Sequence, residues 1–344
     1  MKIGNFEIGR KTFIIAEIGN NHLGDAELAM KTLEAAAASG ADAVKFQLFD
    51  PELLVSKDAP VLKHVPDKSH GTQRERFKSM VLPGGVFREL AQKAESIGMV
   101  FLCTPFDEKS ADFLDDIVPA FKVASGDANN LPLLRHVISK GKPVLVSTGF
   151  CKQEEVDRLA EMLPKKGSIL LHCIGAYPVP DNETGLSLIP FYNQRYGLPV
   201  GYSDHTADTL APLAAVATGA VVIEKHFILD RSIPGGDRAL SLEPKEMSDF
   251  IRDIRRLEKM MGDYPRKIQP SEEYGRTNLR RSAYAKYNIR KGQKITAADV
   301  IWLRPVPANS VSFEDFDTVS SFIAQKDIDS EEPLTYNNID KAGS

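Results

Sequence analysis

Two short runs each place a histidine just after an apolar stretch: GYSDHT at Gly201–Thr206 and IEKHF at Ile223–Phe227. The chain has only 7 histidines, so His205 and His226 at matching points of consecutive strand-like segments call for a reason. Two imidazoles that meet, with positions left open for oxygen ligands, suit a divalent first-row ion. Mn²⁺ fits such a donor set best, with Mg²⁺ and Co²⁺ as alternatives. An ion held this way polarises a carbonyl as a Lewis acid.

Polar residues recur at the ends of other apolar runs. Glu17 comes first, followed by Asn20, Asn21 and His22. Then come Lys45 with Gln47, Thr104, Lys122 with Ser125, Ser147 with Thr148, His172 with Cys173, and Tyr177 just beyond. Ser203 and Asp204 precede the first of the two histidines, and Glu224 and Lys225 the second. Taken singly, a charged residue at a strand end is commonly no more than solvated, and a lone histidine there is usually a hydrogen-bonded structural group. The case rests on coincidence. Lysines inside apolar strands are costly unless paired, and Lys45 and Lys122 both occupy such runs. Side-chain alternation lets each point to one chosen face. Two inward lysines with Thr104 and several serines make a cationic, hydroxyl-rich pocket for a small anion bearing phosphate and carboxylate.

These groups need a frame that gathers strand ends. Eight runs supply it: TFIIAEIG, ADAVKFQ, GMVFLCT, PAFKVAS, KPVLVST, SILLHC, LPVGYS and AVVIEKH. They are short and rich in Val and Ile, as strands buried on both faces should be. Helical patterns fall between most of them. Residues 25–39 end at Gly40; Val156, Leu159, Ala160 and Leu163 share one face, as do Leu210, Leu213, Ala214 and Ala217. Phe250, Ile251, Ile254 and Leu257 give the last helix its apolar side, and Gly262 closes it. Eight such units predict an α/β fold, a (β/α)8 TIM barrel, whose catalytic groups lie at the C-terminal strand ends. No G-x-G-x-x-G follows the first strand, so nothing supports a dinucleotide site. Two long connections read as lids or binding loops: Phe49–Met80, with Lys63, His64 and His70, and Ala176–Gly197.

The boundaries expected are a barrel over residues 1–264, a polar linker over 265–280 and a small β-rich domain over 281–344. That last domain repeats itself weakly. Asn288–Gly292 with Ile295 and Thr296 matches Asp327–Glu331 with Leu334 and Thr335. A net charge of −4 without a basic block gives no footprint for nucleic acid. No apolar run approaches the roughly 20 residues of a membrane span. The N-terminal run lacks a signal-peptide pattern. Cys103, Cys151 and Cys173 have neither metal nor disulfide spacing. The expectation is a cytoplasmic protein with reduced thiols.

The runs IIAEIGNNHLGD, GADAVKFQ, FLCTPFD, FKVASGDANN, VLVSTG, GYSDHT and IEKHF occur in this order. With them the chain resembles the sialic acid synthases, the phosphoenolpyruvate-dependent N-acetylneuraminate synthase family. The end of the chain, with KGQKITAADV and LRP, is similar to that family's antifreeze-like SAF module, a β-clip. The resemblance implies condensation of phosphoenolpyruvate with an N-acetylmannosamine-type aldehyde, giving a nine-carbon acid and inorganic phosphate. It implies metal ligands at His205 and His226, and an acidic residue at Glu17 beside Gln47. Phosphoenolpyruvate contacts are implied at Lys45, Thr104, Lys122, Ser125, Ser147 and Ser203. Sugar contacts are implied at Tyr177 and at Asp237 of the PGGD loop. A domain-swapped homodimer is implied too, with Arg304 acting on the partner's barrel. One position departs from the pattern. Many members carry asparagine or serine two residues before the Tyr-Pro pair, where HCIGAYP has Gly175. The alternatives are pseudaminic or legionaminic acid synthesis from a diacetamido-trideoxy hexose, another phosphoenolpyruvate-dependent aldol-type synthase, and a non-enzymatic carbohydrate- or ice-binding protein.

Overall fold

The computed structural model describes residues 1–61, 69–233, 237–262, 264–319 and 321–342. Lys63 and His64 lie outside the described residues, as do residues 234–236 of the PGGD loop. The chain divides into two compact units, Met1–Gly262 and Asp263–Ser344.

In the first unit a short hairpin, β1 (Lys2–Ile3) and β2 (Phe6–Glu7), precedes eight barrel strands. These are β3 (Phe13–Gly19), β4 (Ala43–Leu48), β5 (Val100–Pro105), β6 (Phe121–Val123), β7 (Val144–Ser147), β8 (Ser168–Cys173), β9 (Val200–Asp204) and β10 (Val222–His226). They close into a barrel in chain order, with β10 pairing back onto β3, and the closing pair is parallel. The expected (β/α)8 barrel is therefore present.

Alternation sorts the strand residues into two cores. Phe13, Ile15, Ala43, Leu102, Leu145, Ile169, Leu171 and Val222 cluster inside the barrel. Ile14, Val44, Cys103, Val146, Leu170 and Ile223, their chain neighbours, pack outward with the helices. The inner set is small and apolar low in the barrel. Continued toward the C-terminal ends, the same parity brings Glu17, Lys45, Gln47, Thr104, Lys122, Ser147, Ser203, Glu224 and His226 to the mouth. Crowding explains Gly201 of β9, which shares this parity. A Cβ there would meet Leu171 Cδ2 at 2.6 Å and Val222 Cβ at 2.7 Å.

The connecting helices start and stop for local reasons. Asp25 caps Ala26–Ala38 by accepting from the amides of Glu27 and Leu28, and Gly40 leaves that helix at φ 89°. Pro244–Met261 buries Met247, Phe250, Ile251 and Ile254. The connection 176–197, read from its length as a lid or binding loop, is not wholly irregular. It contains the helix Leu188–Tyr196, with Pro190 in the first turn, where the missing amide hydrogen costs nothing. The connection 49–80 likewise holds two short helices, Pro51–Leu54 and Gln73–Lys78.

The second unit contains β11 (Ser282–Ala285), β12 (Lys294–Ile295), β13 (Val300–Leu303), β14 (Phe322–Ala324) and β15 (Ile339–Lys341). β11 pairs with β13, and β14 lies between β12 and β15, all antiparallel. The sequence repeat has a structural counterpart. Ile289 and Ile328 exchange both backbone hydrogen bonds at 2.8 Å, and Ile295 and Leu334 are both fully buried. Gly292 and Glu331, which the repeat aligns, both take left-handed backbone, at φ 81° and 63°. Residues 265–280 carry a turn at Pro270–Glu272 and a short helix at Glu273–Asn278.

Candidate functional site

The barrel mouth is a buried network of two lysines and two glutamates. Lys45 Nζ stands 2.7 Å from Glu17 Oε2 and 3.8 Å from Glu224 Oε1, and donates to Thr104 Oγ1 at 3.2 Å. Lys122 Nζ is 3.6 Å from the same Glu224 oxygen, which also accepts from Ser203 Oγ at 3.1 Å. Gln47 donates to Glu17 Oε1 at 3.0 Å and accepts from Asn20 at 3.0 Å. Ser147 Oγ and Glu224 Oε2 are buried without a hydrogen-bond partner. The charges balance in pairs, so the mouth tolerates four buried ions.

Burial raises the Glu17 pKa above the usual carboxylate range. Glu224 adds to that rise, and Lys45 only partly offsets it. Burial would raise Glu224 too, but Lys122, Lys45 and the Ser203 hydroxyl together hold it below the usual value. Burial also acts against the Lys45 charge, yet Glu17 and Glu224 keep its pKa above the ordinary one. Lys122 falls below its ordinary value through burial and the nearby Lys45, against the pull of Glu224. The two carboxyls are thus driven apart, with Glu224 the ionised partner and Glu17 the one that takes a proton more readily.

Beside this network the imidazoles of His205 and His226 lie with ring centroids 5.4 Å apart. Tyr177 stacks on His205 at 4.2 Å and stands edge-on to His226 at 6.1 Å. His205 Nδ1 is 2.8 Å from the Ile174 carbonyl oxygen, with Cys173 Sγ at 3.8 Å. Asp237 Oδ2 is 3.6 Å from His226 Nδ1. The Asp237 amide donates to Asn21 Oδ1 at 2.9 Å, while Asn21 Nδ2 donates to the Phe227 carbonyl and to Ser241. The asparagine after β3 thereby ties Asp237 to the residue that follows His226.

The residue before each histidine explains how the pair is held. Asp204 and Lys225 face each other in register across β9 and β10, one position below the imidazoles, on the outward parity. Lys225 Nζ donates to Asp204 Oδ2 and to the Thr206 carbonyl, both at 2.6 Å, and both ionic side chains are fully buried. Thr206 in turn donates to Asp204 Oδ1 from its amide at 3.0 Å and from its hydroxyl at 2.9 Å. His205 is therefore fastened on both sides to the residue that precedes His226.

Of the residues singled out from sequence, the barrel mouth gathers Glu17, Lys45, Gln47, Thr104, Lys122, Ser147, Ser203, His205 and His226, with Tyr177 and Asp237 against the imidazoles. Ser125 lies just past β6, where its hydroxyl accepts from the Gly149 amide at 3.1 Å. Arg304 belongs to the second unit, where it is exposed after β13. Glu224 was missed as a site residue, although its parity with Val222 and His226 places it inside. The Asp204–Lys225 pair was missed as well; a buried lysine aligned with an aspartate on the next strand was its signal.

The family resemblance implies a divalent metal, and the donors present fit one. His226 Nδ1 is buried with no hydrogen-bond partner. A proton on His205 Nδ1, directed at the Ile174 carbonyl, leaves Nε2 as a lone-pair donor. Among the described residues no group of three or more His, Cys, Asp and Glu is placed to hold an ion. The two imidazoles would be the protein's share of such a site.

Comparison with known proteins shows the family. The NeuB family profile matches residues 32–266 and that of the SAF domain matches residues 280–340. The chain is 42% identical over 311 residues to an uncharacterized protein of Methanocaldococcus jannaschii, covering 89% of each chain. It is 40% identical over 305 residues to the N,N'-diacetyllegionaminic acid synthase of Legionella pneumophila, covering 85% of each. Among solved structures it is similar to the N-acetylneuraminic acid (sialic acid) synthetase of Leptospira borgpetersenii in complex with citrate. The TM-score is 0.71 at 33% identity, covering 80% of this chain and 94% of that one.

Proposed function

Since the chain belongs to the NeuB family, an enzyme family, we propose that it condenses phosphoenolpyruvate with the open-chain aldehyde of a 2-acetamido hexose, giving a nine-carbon 2-keto acid and inorganic phosphate. The observation that carries this reading is the pair of imidazoles, 5.4 Å apart, beside two buried lysines.

Lys45 and Lys122 bind the carboxylate and phosphate of phosphoenolpyruvate, with Thr104, Ser125, Ser147 and Ser203 as hydroxyl partners. His205 and His226 would hold a divalent ion, Mn²⁺ by preference, which supplies Lewis-acid polarisation of the aldehyde carbonyl. Carbon 3 of phosphoenolpyruvate forms the new bond to the aldehyde carbon, whose carbonyl electron pair becomes an alkoxide. Water adds to the electron-poor carbon 2. Glu17 takes the proton that this water releases and passes it to the alkoxide. Its raised proton affinity suits it to that relay, and substrate anions that engage Lys45 raise it further. The carbon–oxygen bond to phosphate then breaks as the carbon 2 hydroxyl becomes the ketone, and phosphate leaves with that hydroxyl's proton. Glu224 stays ionised and holds both lysines in place.

Two acceptor classes are open to this site. One is N-acetylmannosamine, the other a diacetamido-trideoxy hexose. The second is favoured by the likeness to a legionaminic acid synthase and by the apolar Phe150 ring packed over Gly175. The deciding experiment is phosphate release from phosphoenolpyruvate over a panel of both sugar classes, with Mn²⁺ or with chelator. Metal-dependent release with one class is expected. Release that persists in a folded, metal-free His226→Ala variant would sink the scheme. The proposed working unit is a homodimer, which light scattering checks.

A further inference from the structure

Ser168 opens β8 with a hydroxyl that the condensation has no use for. Ile169 and Leu171 face the barrel interior, so alternation turns Ser168 outward, away from it. It also lies at the opposite end of the strand from Cys173 and the imidazoles. Ser168 is 1% exposed, and its Oγ has no hydrogen-bond partner. A buried hydroxyl is costly in that condition, and nothing the chain supplies satisfies this one.

Ser168 lines a cavity of about 600 Å³, a size that suits a small molecule. Pro143 directly precedes β7, Gly167 precedes β8 and Pro199 precedes β9, so the cavity sits at the N-terminal strand ends, opposite the mouth. Its walls are of two kinds. Ile138, Pro143, Pro164 and Pro199 make an apolar side. Lys142, Lys165 and Lys166 make a cationic one, and among the described residues no acidic side chain lines it. Lys142 is balanced by Asp115, 3.2 Å away, and donates to the Val118 carbonyl at 3.1 Å. Lys165 donates to the Tyr196 carbonyl at 2.8 Å. Neither Lys165 nor Lys166 has a carboxylate partner among the described residues. The cavity therefore combines two uncompensated cations, an unsatisfied buried hydroxyl and an apolar wall.

We propose that this cavity is a binding site, separate from the mouth, for a small organic anion: a carboxylate or phosphate carried on an apolar body. One oxygen of the head group accepts from the Ser168 hydroxyl. Lys165 and Lys166 come three and two residues before Ser168, so their long side chains fold over a head group set there. The body lies on Ile138 and the prolines, which are rigid and lose little entropy on contact. A ligand so placed grips the N-terminal ends of three consecutive barrel strands and stabilises the barrel by mass action.

Calorimetry at low ionic strength tests this with phenyl phosphate and benzoate, and with inorganic phosphate and acetate as the same head groups without a body. The proteins are wild type, Lys165→Ser/Lys166→Ser and Ser168→Ala. Wild type should bind an aryl anion about tenfold or more tighter than the matching bare anion, the effect of burying the ring. Whichever aryl anion binds more tightly identifies the head group. The double lysine variant, whose changes are on the surface and leave the fold intact, should bind it about tenfold more weakly. Ser168→Ala should weaken it roughly threefold to tenfold. The melting temperature of wild type should rise with the probe, and that of the lysine variant should rise less. The mouth also carries lysines, so Lys122→Met is titrated beside them. Affinity that falls in Lys122→Met but stays within about twofold of wild type in both other variants places the probe at the mouth and overturns the proposal. A wild type that binds neither aryl anion at millimolar concentration overturns it as well. None of these readings needs turnover, so the outcome is independent of the proposed condensation.

Discussion

Replacing Lys225 by methionine tests what the pair beneath the imidazoles does. At a separation of 2.6 Å and an effective dielectric of about 20, the attraction between Lys225 and Asp204 is about 6 kcal/mol. Removing both ions from water costs several kcal/mol each, so the intact pair contributes little net stability. Breaking it is another matter. Methionine fills the lysine's volume, but Asp204 is left at zero exposure with no cation beside it and only the neutral groups of Thr206 and Tyr202 as partners, and the Thr206 carbonyl loses its donor. An orphaned buried charge of this kind costs about 3–5 kcal/mol, a large share of the roughly 5–15 kcal/mol that a domain has. Asp204→Asn/Lys225→Met removes both ions while the asparagine oxygen still accepts from Thr206. It should recover most of the loss, to within about 1–2 kcal/mol of wild type. Urea unfolding gives the stabilities. Mn²⁺ affinity, measured by calorimetry without substrate, gives the positional effect. If the pair holds His205 against His226, the double variant folds yet binds Mn²⁺ about 10–100-fold more weakly, the usual effect of a lost outer-shell support. A Lys225→Met cost below about 1 kcal/mol would refute the burial argument. A well-folded double variant with wild-type Mn²⁺ affinity would refute the positional one.

His22 predicts an acid limb in stability. Burial pushes its pKa from the ordinary 6.5 down to about 4, so below pH 6.5 the unfolded chain takes up a proton that the fold refuses. Stability is lost between those two values and levels off below the lower one, by about 3 kcal/mol at 1.36 kcal/mol per pH unit. His22→Gln should lack that loss when unfolding is compared at pH 7 and pH 4.5. Glu224→Gln takes away the carboxylate that opposes Lys45–Lys122 repulsion, so the already lowered Lys122 pKa falls further. Turnover should drop at least about tenfold, with the alkaline limb of the pH–rate profile moved to lower pH; an unmoved limb would clear Glu224 of this role. In the second unit Gly292→Ala should cost about 1 kcal/mol, because φ 81° is left-handed backbone that a Cβ strains. Glu331→Gly should change stability by less than half of that, strain relief and chain entropy opposing each other. Differential scanning calorimetry reads both.

How much of this was written in the sequence depends on what each signal measures. Strand-buried apolar runs are a strong signal, because a strand covered on both faces can hold little else, and all eight barrel strands were legible. The polar strand ends were legible for the same reason, as interruptions of an apolar pattern. Helix Leu188–Tyr196 was not, because the length of the connection 176–197 read as a lid or binding loop, whereas the proline in the helix's first turn costs it nothing. Glu224 and Lys225 show where reading by residue type stops. Both are charged and adjacent, and type alone cannot say which one faces the mouth. Parity can: Val222 packs inside, so Glu224 and His226 must follow it, and Lys225 must turn outward to meet Asp204. The two histidines are thus held by the residues that point away from them. Strand alternation spends one face on chemistry and leaves the other free to fix the register in which that chemistry is held. Gly175 lies beyond even this rule, since the Phe150 ring that rests against it comes 25 residues earlier on a neighbouring loop, a relation that only the folded barrel creates.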